Sequence, residues 1–164
     1  MDKITKEKRH KIMASIHGKD TKPELIVRHF LFSRGFRYRV NNNRLPGKPD
    51  IVLFKYRTVI FVNGCFWHGH NCKDFRKPRS NVSFWEQKIN RNKARDIKVQ
   101  KELHKMGWHV IVVWECQLKK EIKEQTLTSL EYTLNSIFLH DRTIIYYPDI
   151  EEDNESCIAA EPMP

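Results

Sequence analysis

Cys65, His68, His70 and Cys72 fall within eight residues, and Cys116 stands 44 residues beyond Cys72. Thiolate and imidazole together suit zinc, which takes four protein ligands in a structural site. A fold for this chain must therefore bring one polar, glycine-containing loop to the end of a distant segment. That segment, Trp108 to Glu115, is a near-continuous apolar run and reads as a strand buried on both faces. The loop has little apolar area to hold its shape, and an ion tying it to a core strand would fix it. Cys65, His70, Cys72 and Cys116 would close such a site with three sulfurs and one nitrogen. Spacing alone does not decide between His70 and His68.

The rest of the chain alternates helix and strand patterns. A basic amino-terminal segment, Thr5 to Ile16, is helix-compatible. Thr21-Lys22-Pro23-Glu24 reads as a helix start, with Thr21 as N-cap, Glu24 closing a capping box and Pro23 in the first turn. This helix runs to a stop at Gly35, with Ile26/Phe30 and Val27/Leu31 on its buried side. Phe36 to Val40 alternates apolar and basic, as a half-exposed strand does. Asn41 to Asn43 and Leu45 to Pro49 are turn-rich. Ile51 to Phe54 and Thr58 to Val62 are short apolar strands joined by Lys55-Tyr56-Arg57. A long helix is expected from about Val82 to Met106, stopped by Gly107. Another spans Leu118 to Leu139, with Leu127, Leu130, Leu134, Ile137 and Phe138 on one side. Thr143 to Tyr147 reads as a last strand. Helices flanking a central mixed sheet make an α/β fold.

Charge is unevenly placed. The sequence carries 30 Lys plus Arg against 20 Asp plus Glu, and six of the acids crowd residues 149–164, where no base occurs. Residues 1–148 therefore hold an excess of 16 positive charges, which predicts a polyanionic partner, nucleic acid before membrane. The expected organisation is one domain over 1–148, with a basic arm at 1–20, and an acidic, disordered tail at 149–164 containing a bystander Cys157. No apolar run approaches 18 residues, and the basic start, MDKITKEKRHK, has no apolar core of a secretory signal. A cytoplasmic protein with free or metal-bound thiols is the expectation.

Pro49-Asp50 stands at the entrance of a short strand that is followed by a turn and a second strand. Many nucleases of one large class carry Pro-Asp there, with an acid, one residue, then lysine on the second strand. The aspartate binds Mg²⁺, which polarises a phosphate and lowers the pKa of an attacking water. The second half is missing, because Thr58 to Gly64 holds neither acid nor lysine. Glu86-Gln87-Lys88 has the spelling but falls on the expected helix. Phe66, Trp67 and Trp85 lie in or beside the polar loop, and ten bases against three acids run from Lys73 to Lys101. Aromatic faces in a basic field suit base stacking or wedging into a duplex; the other reading is that they cover the core under the loop.

Together LPGKPD (Leu45 to Asp50), VIFVNGCFWHGHNC (Val59 to Cys72), FWEQKINRN (Phe84 to Asn92) and GWHVIVVWEC (Gly107 to Cys116) resemble the very-short-patch repair (Vsr) mismatch endonucleases. KDTKPE (Lys19 to Glu24) fits as well. The motifs occur in order from about Lys8 to Cys116. The resemblance implies a restriction-endonuclease-like fold, a PD-(D/E)XK variant with a structural zinc. It implies a bacterial enzyme that nicks one DNA strand beside a T:G mismatch left by 5-methylcytosine deamination, leaving a 5′-phosphate.

By family position, Asp50 and the backbone carbonyl of Val62 would hold Mg²⁺. The carbonyl would explain the absent second acid. His68 would be general base or proton shuttle, and Glu24 would hold a water beside the ion. Cys65, His70, Cys72 and Cys116 would bind the zinc. Phe66, Trp67 and Trp85 would wedge into the duplex, Met13 would probe the minor groove, and Lys88 and Asn92 would reach base edges. The position before Gly64 is often a second catalytic histidine in the family. Here it is Asn63, which hydrogen-bonds but carries no proton. Val62 replaces a threonine and keeps the carbonyl. The expected protein is a monomer, nucleoid-associated when bound to DNA, with mismatch-repair proteins and a repair polymerase as further partners. Two rival readings remain: a nicking enzyme of a restriction system acting on matched DNA, and a non-catalytic, zinc-stabilised DNA-binding module.

Overall fold

Helix α1 (Lys22–Ser33) starts where its capping residues dictate. The Glu24 N–H donates to Thr21 Oγ1 at 3.5 Å, and the Thr21 hydroxyl donates to Glu24 Oε1 at 2.9 Å. The chain leaves the helix through Gly35 at φ 82°, a left-handed conformation that glycine adopts without penalty. The computed structural model describes residues 18–141, together with residues 5, 7, 8, 10 and 11. Met13, the expected strand at Thr143 to Tyr147, the acidic tail and Cys157 lie outside the described residues.

A four-stranded sheet follows, in the order β1-β2-β3-β4. Its strands are β1 (Arg39–Val40), β2 (Ile51–Leu53), β3 (Thr58–Asn63) and β4 (His109–Trp114). β2 pairs antiparallel with β1 and β3, while β3 and β4 run parallel, so the sheet is mixed as expected. The parallel step is made by α2 (Val82–Lys105), which ends at Gly107, φ 76°. Helix α3 (Lys123–His140) closes the described fold.

The alternation of the strands decides which helix covers which face. Ile51, Leu53 and Ile60 pack with Val27 and Leu31 of α1 and with Leu127, Leu130 and Leu134 of α3. Val52 and Val59 form a second cluster with Leu45 and Leu103, against which Val99 packs. The sheet is thus sandwiched between α1 and α3 on one side and α2 on the other. No helix among the described residues is long and apolar enough to cross a membrane.

Three expectations need correction. The strand expected over Phe36 to Val40 shrinks to two exposed residues. Phe36 instead turns into the core, 4% exposed and 5.2 Å from the Tyr56 ring, and the Tyr38 hydroxyl donates to the Arg28 carbonyl at 3.0 Å. The alternation there reflects an irregular segment packing down, not a paired strand. β4 is not buried on both faces: only Val113 is buried, because β4 is an edge of the sheet among the described residues. Leu118 belongs to a short 3₁₀ turn (Glu115–Leu118), so α3 begins later than its leucine pattern implies.

Gly47, at φ 73°, sits against α2: a Cβ there would lie 2.4 Å from Val99 Cγ1. Gly47→Ala is expected to destabilise the fold by about 1–3 kcal/mol through overpacking and a disfavoured backbone. Urea unfolding of the two proteins measures it.

Candidate active site and metal cluster

Asp50 sits one residue before β2, where antiparallel pairing with β3 sets it beside Val62. Its Oδ2 accepts the Val62 N–H at 2.8 Å. Burial pushes its carboxyl up from the ordinary 3.8 to about 6, opposed by that N–H; nearby Glu24 raises it further, while Arg28 and His68 draw it down. Glu24 is 3% exposed and accepts hydrogen bonds on both oxygens. Its carboxylate accepts from the Asp20 N–H, the Thr21 hydroxyl and the Arg28 guanidinium, each at 2.9 Å. Arg28 also pairs with Asp20, and its buried Nε has no hydrogen-bond partner among the described residues. Sequence reasoning passed over Arg28, although its i,i+4 spacing from Glu24 on a helix was a usable signal.

His68 pairs through Nδ1 with the carboxylate of Asp96, which reaches it from α2. A carboxylate on Nδ1 holds the proton there and leaves Nε2 as the free lone pair. Asp96 was also missed, and 28 residues of separation leave no local pattern by which to find it. Asp50, Glu24, His68 and Asn63 all line one cleft of about 1070 Å³, with Trp67 and Lys88. Asn63 is 8% exposed at the end of β3.

The sulfur and imidazole groups assemble beside this cleft. Asn63 pairs with Trp114 across the parallel ladder, so Cys65 and Cys116, each two residues on, leave the sheet side by side. His70 Nδ1 lies 3.6 Å from Cys65 Sγ and 3.5 Å from Cys116 Sγ, and the ligand atoms of Cys65, His70, Cys72 and Cys116 all lie within 4.8 Å of one another. Ligands about 2.0–2.3 Å from a tetrahedral zinc stand roughly 3.5–3.8 Å apart. The group can hold a metal ion, and the histidine in it is His70; His68 is committed to Asp96. The His70 ring stacks on Trp114 at 4.1 Å and 5°. The three cysteines form no disulfide. Burial pushes the Cys65 thiol up to about 12, a cost that a bound cation removes.

The three aromatics pack on one another rather than standing apart on a polar surface. Phe66 lies 5.2 Å from both Trp67 and Trp85, and the two tryptophans are 5.9 Å apart. All three are half-buried. The Lys88 ammonium lies over Trp67 and Trp85 at 5.3 and 5.4 Å. Asn92 donates from Nδ2 to the Trp67 carbonyl at 2.8 Å, so its amide braces the loop. Phe84, 55% exposed and 5.3 Å from Trp85, extends the cluster outward and was not singled out from the sequence.

The family described as DNA mismatch endonuclease Vsr matches residues 1–74. The type II nicking enzyme V.NmeAIP of Neisseria meningitidis serogroup A is 57% identical over 120 residues, covering 73% of this chain and 86% of that protein. The type II nicking enzyme V.XorIIP of Xanthomonas oryzae is 44% identical over 117 residues, covering 71% and 86%. The DNA mismatch endonuclease Vsr of Escherichia coli is 40% identical over 129 residues, covering 77% and 81%. This chain belongs to the Vsr family. As a Vsr endonuclease it acts on DNA, which agrees with its basic excess and sets aside the non-catalytic module.

A carboxyl raised by folding opposes folding once it ionises. For Asp50 that cost is absent below about pH 4, grows between pH 4 and 6, and is complete above. Asp50→Asn keeps an acceptor for Val62 and removes the charge. In EDTA it should exceed the wild type by about 1–2 kcal/mol at pH 8 and match it at pH 3.5, by urea unfolding. Cys116→Ala should lower the melting temperature by several degrees, and a strong chelator should bring the wild type down towards the variant.

Proposed function

We propose that this Vsr-family protein is a Mg²⁺-dependent endonuclease that nicks one strand of duplex DNA at T:G mismatches, the lesion left by 5-methylcytosine deamination. The observation that carries the reading is the shared cleft. Asp50, the Asp96-oriented His68 and the Trp67–Lys88 face line one groove in a strongly basic chain.

The site suits a hard cation. Asp50 Oδ2 is held by Val62, while no hydrogen bond reaches its Oδ1 among the described residues, and the carboxyl is partly desolvated. Oxygen donors of this kind, Asp50 and the Val62 carbonyl, are those Mg²⁺ takes. When bound, such an ion polarises the scissile phosphate and eases deprotonation of the attacking water. The residues do the rest. His68 takes the proton from that water at Nε2, and Asp96 keeps the ring in the receptive tautomer and steadies the imidazolium. Glu24, fixed by Arg28, Asp20 and Thr21, orients water at the cleft floor. Asn63 stands where a second histidine is frequent in the family and contributes hydrogen bonding only, so one imidazole carries the proton transfer. The product is a nick with a 5′-phosphate. In fold terms Asp50 and β2–β3 make a PD-(D/E)XK variant whose second acid is replaced by a backbone carbonyl.

Cys65, His70, Cys72 and Cys116 hold a structural zinc, which suits their donor set. The zinc fixes the loop that presents Phe66 and Trp67. These rings, with Trp85, wedge beside the mismatch, where the duplex opens at least cost. Lys88 approaches base edges, Asn92 can offer them only the part of its amide that does not brace the Trp67 carbonyl, and Met13 on the amino-terminal arm meets the minor groove. Residues 1–148 form the endonuclease unit and act as a monomer, with mismatch-repair proteins and a repair polymerase acting alongside it on the bacterial nucleoid.

The relatives named type II nicking enzymes favour a second reading, in which the substrate is matched DNA of a restriction system. One assay separates the two. Purified zinc-loaded protein with Mg²⁺ should nick T:G duplexes in some flanking contexts and leave the T:A counterparts intact. EDTA and Asp50→Ala should each abolish the nick. Equal cutting of T:G and T:A duplexes selects the restriction reading, and no cutting in any context defeats both.

A further inference from the structure

One wall of the cleft has no role in the scheme above. Asn41, Asn43 and Lys48 come from the loop between β1 and β2, and Arg95 and Gln100 come from α2. The loop is rigidly built. Leu45 is buried in the core cluster against which Val99 packs, and Gly47 abuts Val99. The Lys48 N–H donates to the Leu45 carbonyl at 3.2 Å, and the Arg44 N–H donates to Asn42 Oδ1 at 2.9 Å. The Asn41 N–H donates to the carbonyl of Asp50 at 3.4 Å, which ties the loop to the residue that holds the catalytic ion in the proposed function.

Three consecutive asparagines therefore divide their work. Asn42 spends its oxygen on the turn. The side-chain amides of Asn41 and Asn43 make no hydrogen bond among the described residues, although both line the cleft and Asn41 is half-buried. Neutral amides add nothing to the attraction of phosphates, which the surrounding lysines and arginines supply. An amide does carry a donor and an acceptor side by side, matching N6 and N7 on the major-groove edge of adenine. A pre-formed loop wastes little entropy in presenting them.

We propose that Asn41 and Asn43 are specificity-determining residues that read an adenine-containing base pair flanking the cut. This rests on the nicking activity proposed above. The test measures kcat/KM of the full-length, zinc-loaded protein on T:G duplexes in which each flanking base pair is varied in turn. Melting curves accompany every variant to confirm folding. The wild type should prefer an A·T pair at one or two positions. Asn41→Ala or Asn43→Ala should flatten that preference by about tenfold or more, with the loss confined to the preferred duplex. Asn43→Asp, which exchanges donor for acceptor, should turn the preference towards cytosine. Lys48→Ala should slow all duplexes alike, as loss of a phosphate contact does.

If the asparagine variants slow every duplex equally, the amides touch phosphate and the proposal is wrong. An unchanged base preference in all three asparagine variants also overturns it, while leaving the nicking activity intact. A wild type that nicks no duplex removes the proposed function and this inference together.

Discussion

Pairing of β3 with its two neighbours sets the position of Asp50 and of Cys65 and Cys116, the groups about which the rest of the site gathers. The antiparallel register with β2 puts the Val62 N–H on the Asp50 carboxylate, and the parallel register with β4 sends Cys65 and Cys116 off the sheet together. A slip of one residue would turn each strand's side chains to the opposite face. What prevents the slip is burial on both faces. Ile51, Leu53 and Ile60 are committed to the core under α1 and α3, and Val52 and Val59 to the core under α2. A shifted register would exchange these two sets between the two cores. The apolar packing is thus what sets polar groups to within hydrogen-bonding distance of each other.

The polar groups themselves work against the fold. Asp50 and Glu24 are acids in one partly desolvated cleft, and Arg28 is the cation that makes their proximity tolerable. That arginine is buried, and its Nε has no hydrogen-bond partner among the described residues, so the compensation is incomplete. A carboxyl desolvated in this way is a common mark of functional sites. The cysteine cluster has the same logic with softer donors. His70 is stacked on Trp114, so packing alone orients the one nitrogen of the cluster.

What could be read from the sequence was whatever depends on near neighbours. The limits of α1 follow from Thr21, Glu24 and Gly35, and the end of α2 follows from Gly107, because caps are local chemistry. The sulfur and imidazole set was recognisable from residue type, although spacing could not choose between His68 and His70. The family resemblance made that choice, and in the fold His70 lies among the sulfurs while Asp96 on α2 pairs with His68. Burial was the least legible quantity. The run from Trp108 to Glu115 looks the same whether it lies inside a sheet or at its margin, since exposure belongs to the neighbours and not to the strand. Phe36 to Val40 misled for a related reason: an alternating pattern records which side chains face inward, and an irregular segment can satisfy it as well as a strand.

Helix α2 carries Trp85 near its start, Asp96 in its middle and Val99 against the Gly47 loop. Eleven residues separate Trp85 from Asp96, about 16 Å or three turns of a rod that scarcely stretches. The aromatic cluster and the imidazole, neighbours on one loop, are therefore braced from the same helix at two points, by Trp85 and by Asp96. A kink in α2 between those two points would loosen the ring cluster and the imidazole together, so the straightness of one rod governs the shape of the whole loop.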